Sequence, residues 1–200
     1  MKHILKFDGP IADYVELHYD KLVSEFYQFA YDTARTPKPN HIRINDRLFY
    51  AGQIDVVGLK IARSLLDPNE LNFTKWTHDP TQYRYPTKFK DPVNSAKMVT
   101  WNEMMSTFED IIEQLFINIA NPGADIGFHY GVKTYCWRAH ICFQENPAFK
   151  FHIEDEETAW IEGMENSFKF DDGNVLHGVK YNQALCNGLP RIVCIIDYKK

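Results

Sequence analysis

Residues 115–140 read LFINIANPGADIGFHYGVKTYCWRAH, and this stretch decides the fold. It divides into three extended segments. FINIA is a short apolar run, closed by the turn signal Asn121-Pro122-Gly123. ADIGFHYG is the second. The third, TYCWRAHICF, alternates without interruption. Residues two apart on a strand share a face. Thr134, Cys136, Arg138, His140 and Cys142 therefore point one way, and Tyr135, Trp137, Ala139, Ile141 and Phe143 the other. The second set can bury itself against an apolar layer. The first places an arginine beside a histidine, and a polar face on a core strand requires partners.

Downstream, the same short-strand texture continues. FKFHI (149–153), TAWIE (158–162), NSFKF (166–170), VLHGV (175–179) and RIVCIID (191–197) are separated by turn signals, among them Asp172-Gly173. About eight strands follow from residue 115 onward. Upstream, the period changes. Val15, Tyr19, Leu22, Phe26 and Phe29 recur at helical steps, which predicts a helix over 13–34. HIRINDRLFYAG can hold a short strand. Val57, Ile61 and Leu65 suggest a helix over 54–66. Pro80, Pro86 and Pro92 interrupt residues 78–99, which read as a loop, with a lid over a site as the sharper alternative. A third helix is expected over 101–114, with Thr100 and Glu103 at capping-box spacing and Met105, Phe108, Ile111, Ile112 and Leu115 as its buried stripe. Helices first and a β-sandwich or barrel after make an α+β arrangement. One domain is expected over residues 1–200, with residues 1–114 mainly helical.

Composition narrows the function. The chain has 200 residues, is 44% hydrophobic, and carries a formal charge of -5. That charge argues against a general nucleic-acid binder. No apolar run reaches the roughly 18 residues of a membrane span, and the opening MKHILKFDGP lacks a signal-peptide core, so a cytoplasmic location is expected. The four cysteines, Cys136, Cys142, Cys186 and Cys194, include no CxxC pair and read as free thiols.

Candidate chemistry rests on histidine and arginine. His129 and His177 each lie at a strand end near a glycine, where they can converge at the mouth of a barrel. A pair of neutral imidazoles suits a divalent transition metal. Arg138, His140 and Arg191, which opens the last strand, add cations or donors. An arginine turned inward calls for an anion, and its guanidinium matches a carboxylate bidentately. The pattern suggests a metal enzyme with a carboxylate co-substrate.

The segments HYGVKTYCWRAHICF, TAWIEG, FDDGNVLHGV and PRIVCIIDY, in this order, resemble the aspartyl/asparaginyl β-hydroxylase family. Arg138 falls nine residues after His129, and His140 two further. The resemblance covers about residues 115–198. It implies a double-stranded β-helix (a jelly-roll, cupin-like core) with the N-terminal helices packed on it. It also implies an iron(II)- and 2-oxoglutarate-dependent dioxygenase that uses O2 to hydroxylate an unactivated C–H bond of an amino acid, peptide or other small substrate. By the resemblance His129 and His177 hold the iron, Arg138 and His140 contact the co-substrate carboxylate near it, and Arg191 pairs with the distal carboxylate. Asn118 stands where family members have a serine. Trp160, Gly163 and Asp171-Asp172 take structural roles.

The sequence departs from the pattern twice. KYNQALCNGLP lengthens the connection between His177 and Arg191. Gly131 stands two residues after His129, where a 2-His-1-carboxylate triad would supply its carboxylate, so water or a halide can take that position. A 2-oxoglutarate-dependent halogenase and a non-catalytic cupin-like binding protein are the rival readings.

Overall fold

The computed structural model describes residues 2–35, 41–44, 47–50, 81–85, 99–120, 122–123, 126–131 and 134–200. Strand β1 (Leu5–Lys6) leads into helix α1 (Pro10–Arg35). A hairpin of β2 (His41–Ile44) and β3 (Arg47–Tyr50) follows, then β4 (Thr81–Tyr85) and helix α2 (Val99–Thr107). The remaining strands are β5 (Ile112–Ala120), β6 (Ile126–His129), β7 (Cys136–Gln144), β8 (Phe149–Ile153), β9 (Glu156–Ala159), β10 (Gly163–Phe170), β11 (His177–Tyr181) and β12 (Arg191–Lys199).

These strands form a six-stranded sheet, ordered β1-β10-β7-β12-β5-β4, and a four-stranded sheet, ordered β6-β11-β8-β9. From β5 to β12 the chain crosses between the two sheets at every connection but the β8–β9 hairpin. All pairings are antiparallel. This is the double-stranded β-helix, a jelly roll that solves the edge problem by wrapping one sheet over another.

The alternation of β7 divides the two cores as expected. Ala139, Ile141 and Phe143 face α1, joined by Ile192, Cys194 and Ile196 of β12 and Leu115 and Ile117 of β5. Phe7, Ile11, Val15, Leu22 and Phe26 of the N-terminal segment cover that face, together with Trp101, Met104 and Met105 of α2. Full burial of a Phe such as Phe26 contributes roughly 1.5–3 kcal/mol. The opposite face of the same strands, with Cys142, Val193 and Ile195, closes onto Phe149, Phe151, Ile153 and Val179 of the smaller sheet. The polar residues of that face, Arg138 and His140, thus lie between the sheets. All four cysteines are free thiols.

Several expectations change. The helix expected over 101–114 ends at Thr107, and β5 begins at Ile112. Ile112, Ile117 and Ile119 are β-branched, and β5 pairs with β12 along its whole length. Ile111 is exposed rather than part of a buried stripe. The capping partner also differs: the Thr100 amide and hydroxyl donate to the Glu25 carboxylate on α1, not to Glu103. Within the expected loop 78–99, Thr81–Tyr85 is a strand at the edge of the larger sheet, paired to Ile119–Leu115. TAWIE is strand only to Ala159. The helix expected over 54–66 lies outside the described residues. No described helix is long and apolar enough to cross a membrane.

Candidate active site

Strand pairing brings the two outlying histidines together. His129 on β6 and His177 on β11 are direct cross-strand partners, and their ring centroids lie 4.4 Å apart. Each ring is fixed by a backbone carbonyl two residues before it. His129 Nδ1 lies 2.8 Å from the Gly127 carbonyl, and His177 Nδ1 lies 3.0 Å from the Val175 carbonyl. A carbonyl can only accept, so Nδ1 carries a proton in both rings and Nε2 is the nitrogen left to face a metal. Burial, with His129 and Arg138 adding to it, pushes the His177 pKa down to about 4, so the ring is neutral near pH 7. Two imidazoles with oriented Nδ1–H groups are the donor set that a first-row transition metal uses. Among the described residues no group of three or more His, Cys, Asp and Glu side chains is disposed to hold a metal ion. The donors are the imidazole pair, and they fit iron(II) with open positions for other ligands.

Next to this pair stands Asp172, expected from the resemblance to be structural only. Asp172 is fully buried, and its Oδ1 lies 3.4 Å from His177 Nε2. Its backbone carbonyl accepts from the Gly131 amide at 2.8 Å. A Cβ on Gly131 would fall on the Asp172 carboxylate. The space beside Gly131 therefore belongs to a carboxylate delivered by the β10–β11 turn, not to an open position. Glycine is required there because another side chain already fills the volume. Gly131→Ala is expected to displace Asp172 or the β6 end, destabilise the fold by an overpacking cost of about 1–3 kcal/mol that lowers the thermal midpoint, and weaken metal binding. Thermal unfolding and a metal titration of the variant check this.

Arg138 is committed to protein carboxylates. It faces Asp197 directly across the β7–β12 pairing. Its Nε donates to Asp197 Oδ1 at 2.7 Å and Nη2 to Oδ2 at 2.9 Å, and Nη1 meets Asp172 Oδ1 at 2.6 Å. Burial works against the charged guanidinium, but Asp197 and Asp172 raise its pKa on balance.

The deeper wall holds His140, Trp160, Arg191 and Asn118, and all four line the recess that also reaches His129 and His177. His140 is buried among Phe151, Trp160, Phe168 and Phe170, and neither ring nitrogen has a hydrogen-bond partner among the described residues. Burial, reinforced by Arg138 and Arg191, holds its pKa well below the usual range, so it faces the recess as a neutral donor or acceptor. Arg191 is 2% exposed. One of its Nη atoms donates to Asn118 Oδ1, its guanidinium lies 4.0 Å from the Trp160 ring centroid, and its Nε has no partner among the described residues. No carboxylate among the described residues pairs with it, and burial pulls its pKa down to about 9. A buried guanidinium without a carboxylate is ready for an anionic ligand.

All six candidate residues therefore meet at one recess. The long connection before Arg191 does not disturb the register: a short 3-10 turn over Gln183–Leu185 absorbs it, and β12 still starts at Arg191. His152 lies apart, on the outer side of the smaller sheet near Phe128 and Glu157. The contacts of Asp172 and Asp197 are not legible in the sequence, because they depend on cross-strand register rather than on neighbours in the chain.

No curated protein matches the chain in sequence. Among solved structures, the ribosomal oxygenase YcfD of Escherichia coli is 11% identical over 64% of this chain and 34% of its own, with a TM-score of 0.38. A Streptococcus pyogenes protein of unknown function, SPY1581, is 9% identical over 65% of this chain and 86% of its own, with a TM-score of 0.38. A predicted oxalate decarboxylase of Thermotoga maritima is 12% identical over 48% of this chain and 73% of its own, with a TM-score of 0.37. Likenesses this distant carry no chemistry across to this chain. The model of the aspartyl/asparaginyl β-hydroxylase family matches residues 75–200, well over half of the sequence, and the chain belongs to that family.

Proposed function

We propose that the protein is an iron(II)- and 2-oxoglutarate-dependent hydroxylase acting on an amino acid, peptide or other small substrate. One observation carries the reading: His129 and His177 donate Nδ1–H to the backbone carbonyls of Gly127 and Val175 and so turn Nε2 toward a metal, across a recess from a buried arginine that lacks a carboxylate among the described residues. When bound, ferrous iron and 2-oxoglutarate supply the oxygen-activating chemistry, with succinate and carbon dioxide as the accompanying products.

The residues divide the remaining work. His129 and His177 hold the metal. Arg191, with Asn118 on its flank and Trp160 against its face, binds the distal carboxylate of the co-substrate. His140, neutral and without a partner among the described residues, hydrogen-bonds the co-substrate end nearer the metal. The aromatic wall of Phe151, Trp160, Phe168 and Phe170 excludes water from that end. Asp172 bears on the halogenase alternative: a halide beside Gly131 would meet a buried carboxylate, and like charges this close repel.

The test is a turnover screen with iron(II), oxygen, 2-oxoglutarate and excess chloride across amino acids and short peptides. It reads succinate and product mass. Succinate formation coupled to a gain of one oxygen is expected, whatever the chloride concentration. A chlorinated product would replace this reading with the halogenase. Iron-loaded protein that consumes no 2-oxoglutarate with any substrate or alone would favour the non-catalytic binding protein.

A further inference from the structure

A sheet edge with unpaired amides and carbonyls is a template for another strand, and proteins cover or blunt such edges. Beside β10 lies the short strand β1, and Glu156, which opens the edge strand β9, accepts the amides of His3 and Ile4. β6, at the other edge of the smaller sheet, pairs only with β11 among the described residues. It is also uncovered. Phe128 is 46% exposed, Tyr130 is 60% exposed, and a Cβ on Gly127 would meet nothing within 4 Å.

Register and side-chain chemistry decide what fits this edge. His129 and His177 are cross-strand partners, so a strand added beside β6 places one residue opposite His129, about 5 Å away between Cβ atoms and on the face that lines the recess. The neighbours of that residue in the added strand face outward, where Phe128 lies. A Cβ on Gly178 would come within 3.0 Å of the Phe128 ring, so the phenyl rests over the glycine. Lys180 Nζ stands 5.8 Å from the same ring centroid. Lys180 is exposed and faces Lys150 across the β11–β8 pairing. Glu157 serves Lys150, and Lys180 has no carboxylate partner among the described residues. Like charges directly opposite destabilise a sheet, and an acidic side chain beside Phe128 would relieve this pair.

We propose that the open edge of β6 takes an extended peptide segment as an added strand, with an acidic residue of that segment on Lys180 beside Phe128. Backbone hydrogen bonds along the edge supply the hold, and the outward side chains supply the choice. Docking of this kind needs no metal. Its consequence rests on the hydroxylase reading: the segment residue opposite His129 faces the recess and is the one oxidised. A second copy of the chain fits the edge less well. Twofold pairing of two β6 strands would put both Lys180 side chains on one face of the joined sheet.

The probe is a fluorescein-labelled octapeptide of alternating valine and glutamate, titrated into the metal-free full chain and followed by fluorescence anisotropy. Saturable binding is expected, with slower amide hydrogen exchange in β6. Alternate amides of a strand point to opposite edges, so the peptide N-methylated at its valines and the one N-methylated at its glutamates should differ in affinity. Lys180→Glu is expected to weaken binding of the glutamate peptide by roughly threefold or more and to favour the valine–lysine counterpart. With iron(II), oxygen and 2-oxoglutarate, the added oxygen should appear on valine, and oxygen on glutamate would overturn the facing assigned to the segment. No saturable binding at millimolar peptide, equal affinity of the two N-methylated forms, or an unchanged charge preference in folded Lys180→Glu would overturn the proposal. So would sedimentation showing a dimer whose β6 amides are protected without peptide, which gives the edge to a second copy. If the peptide docks as described but no substrate drives succinate formation, the hydroxylase reading falls while the docking stands.

Discussion

His177→Ala is expected to abolish stoichiometric iron binding and, with it, 2-oxoglutarate turnover. The ring sits on β11 at 3% exposure, and a backbone carbonyl fixes its tautomer. Deleting it leaves one imidazole where the site supplies two. Loss of a mere orienting partner costs about 10- to 100-fold in metal affinity, so loss of the ligand should exceed roughly 100-fold. The buried cavity left by the imidazole adds a modest stability cost, which circular dichroism and thermal unfolding separate from the metal effect. His152→Ala is the control. His152 is half-buried on the outer side of the same sheet, where its Nε2 is 3.8 Å from Glu157 Oε2. Its loss should leave iron binding and succinate formation unchanged. Full turnover in folded His177→Ala would remove the metal assignment.

Arg191→Leu is expected to raise the apparent Michaelis constant for 2-oxoglutarate by at least about tenfold while metal affinity without co-substrate stays the same. The guanidinium is buried, stacked on Trp160 and bonded to Asn118, with no carboxylate of its own among the described residues. Losing a charge-assisted pair in a buried setting costs on the order of 2–5 kcal/mol when the other charge remains. The tenfold floor, about 1.4 kcal/mol, is set below that range because leucine also relieves the cost of burying the cation. Arg191→Lys should recover part of the loss, since it restores the charge without the fork. Initial rates of succinate formation over a range of 2-oxoglutarate concentrations measure this. An unchanged constant in folded protein would detach Arg191 from the co-substrate.

The site is legible in the sequence where chemistry follows strand alternation. Period alone assigns Arg138 and His140 to one face of β7, and that face does line the recess. The stripe through Val15, Leu22 and Phe26 likewise marks the helix that closes the other face. Legibility fails where contact order is long. Asp172 lies 41 residues after Gly131, and only the folding of β6 against the β10–β11 turn brings its carboxylate over that glycine. Asp197 reads as the end of an apolar strand, and nothing local reveals that it faces Arg138. The α2–β5 boundary is hidden for another reason. Residues 104–115 fit a helical stripe as well as a strand, and the pairing of Ile112–Ala120 with β12 decides the matter. Thr81–Tyr85 has a readable signal, alternating aromatic residues between Pro80 and Pro86, but the prolines outweigh it.

The most direct measurement is an anaerobic titration of 2-oxoglutarate into iron(II)-loaded protein, followed by visible absorption. A 2-oxo acid that chelates ferrous iron gives a charge-transfer band in the visible. This band is expected to grow to saturation at one equivalent of co-substrate per iron. It should be absent from His177→Ala and need at least about tenfold more co-substrate in Arg191→Leu. Iron-loaded protein that develops no such band at saturating 2-oxoglutarate would contradict the assignment of this recess to iron and 2-oxoglutarate.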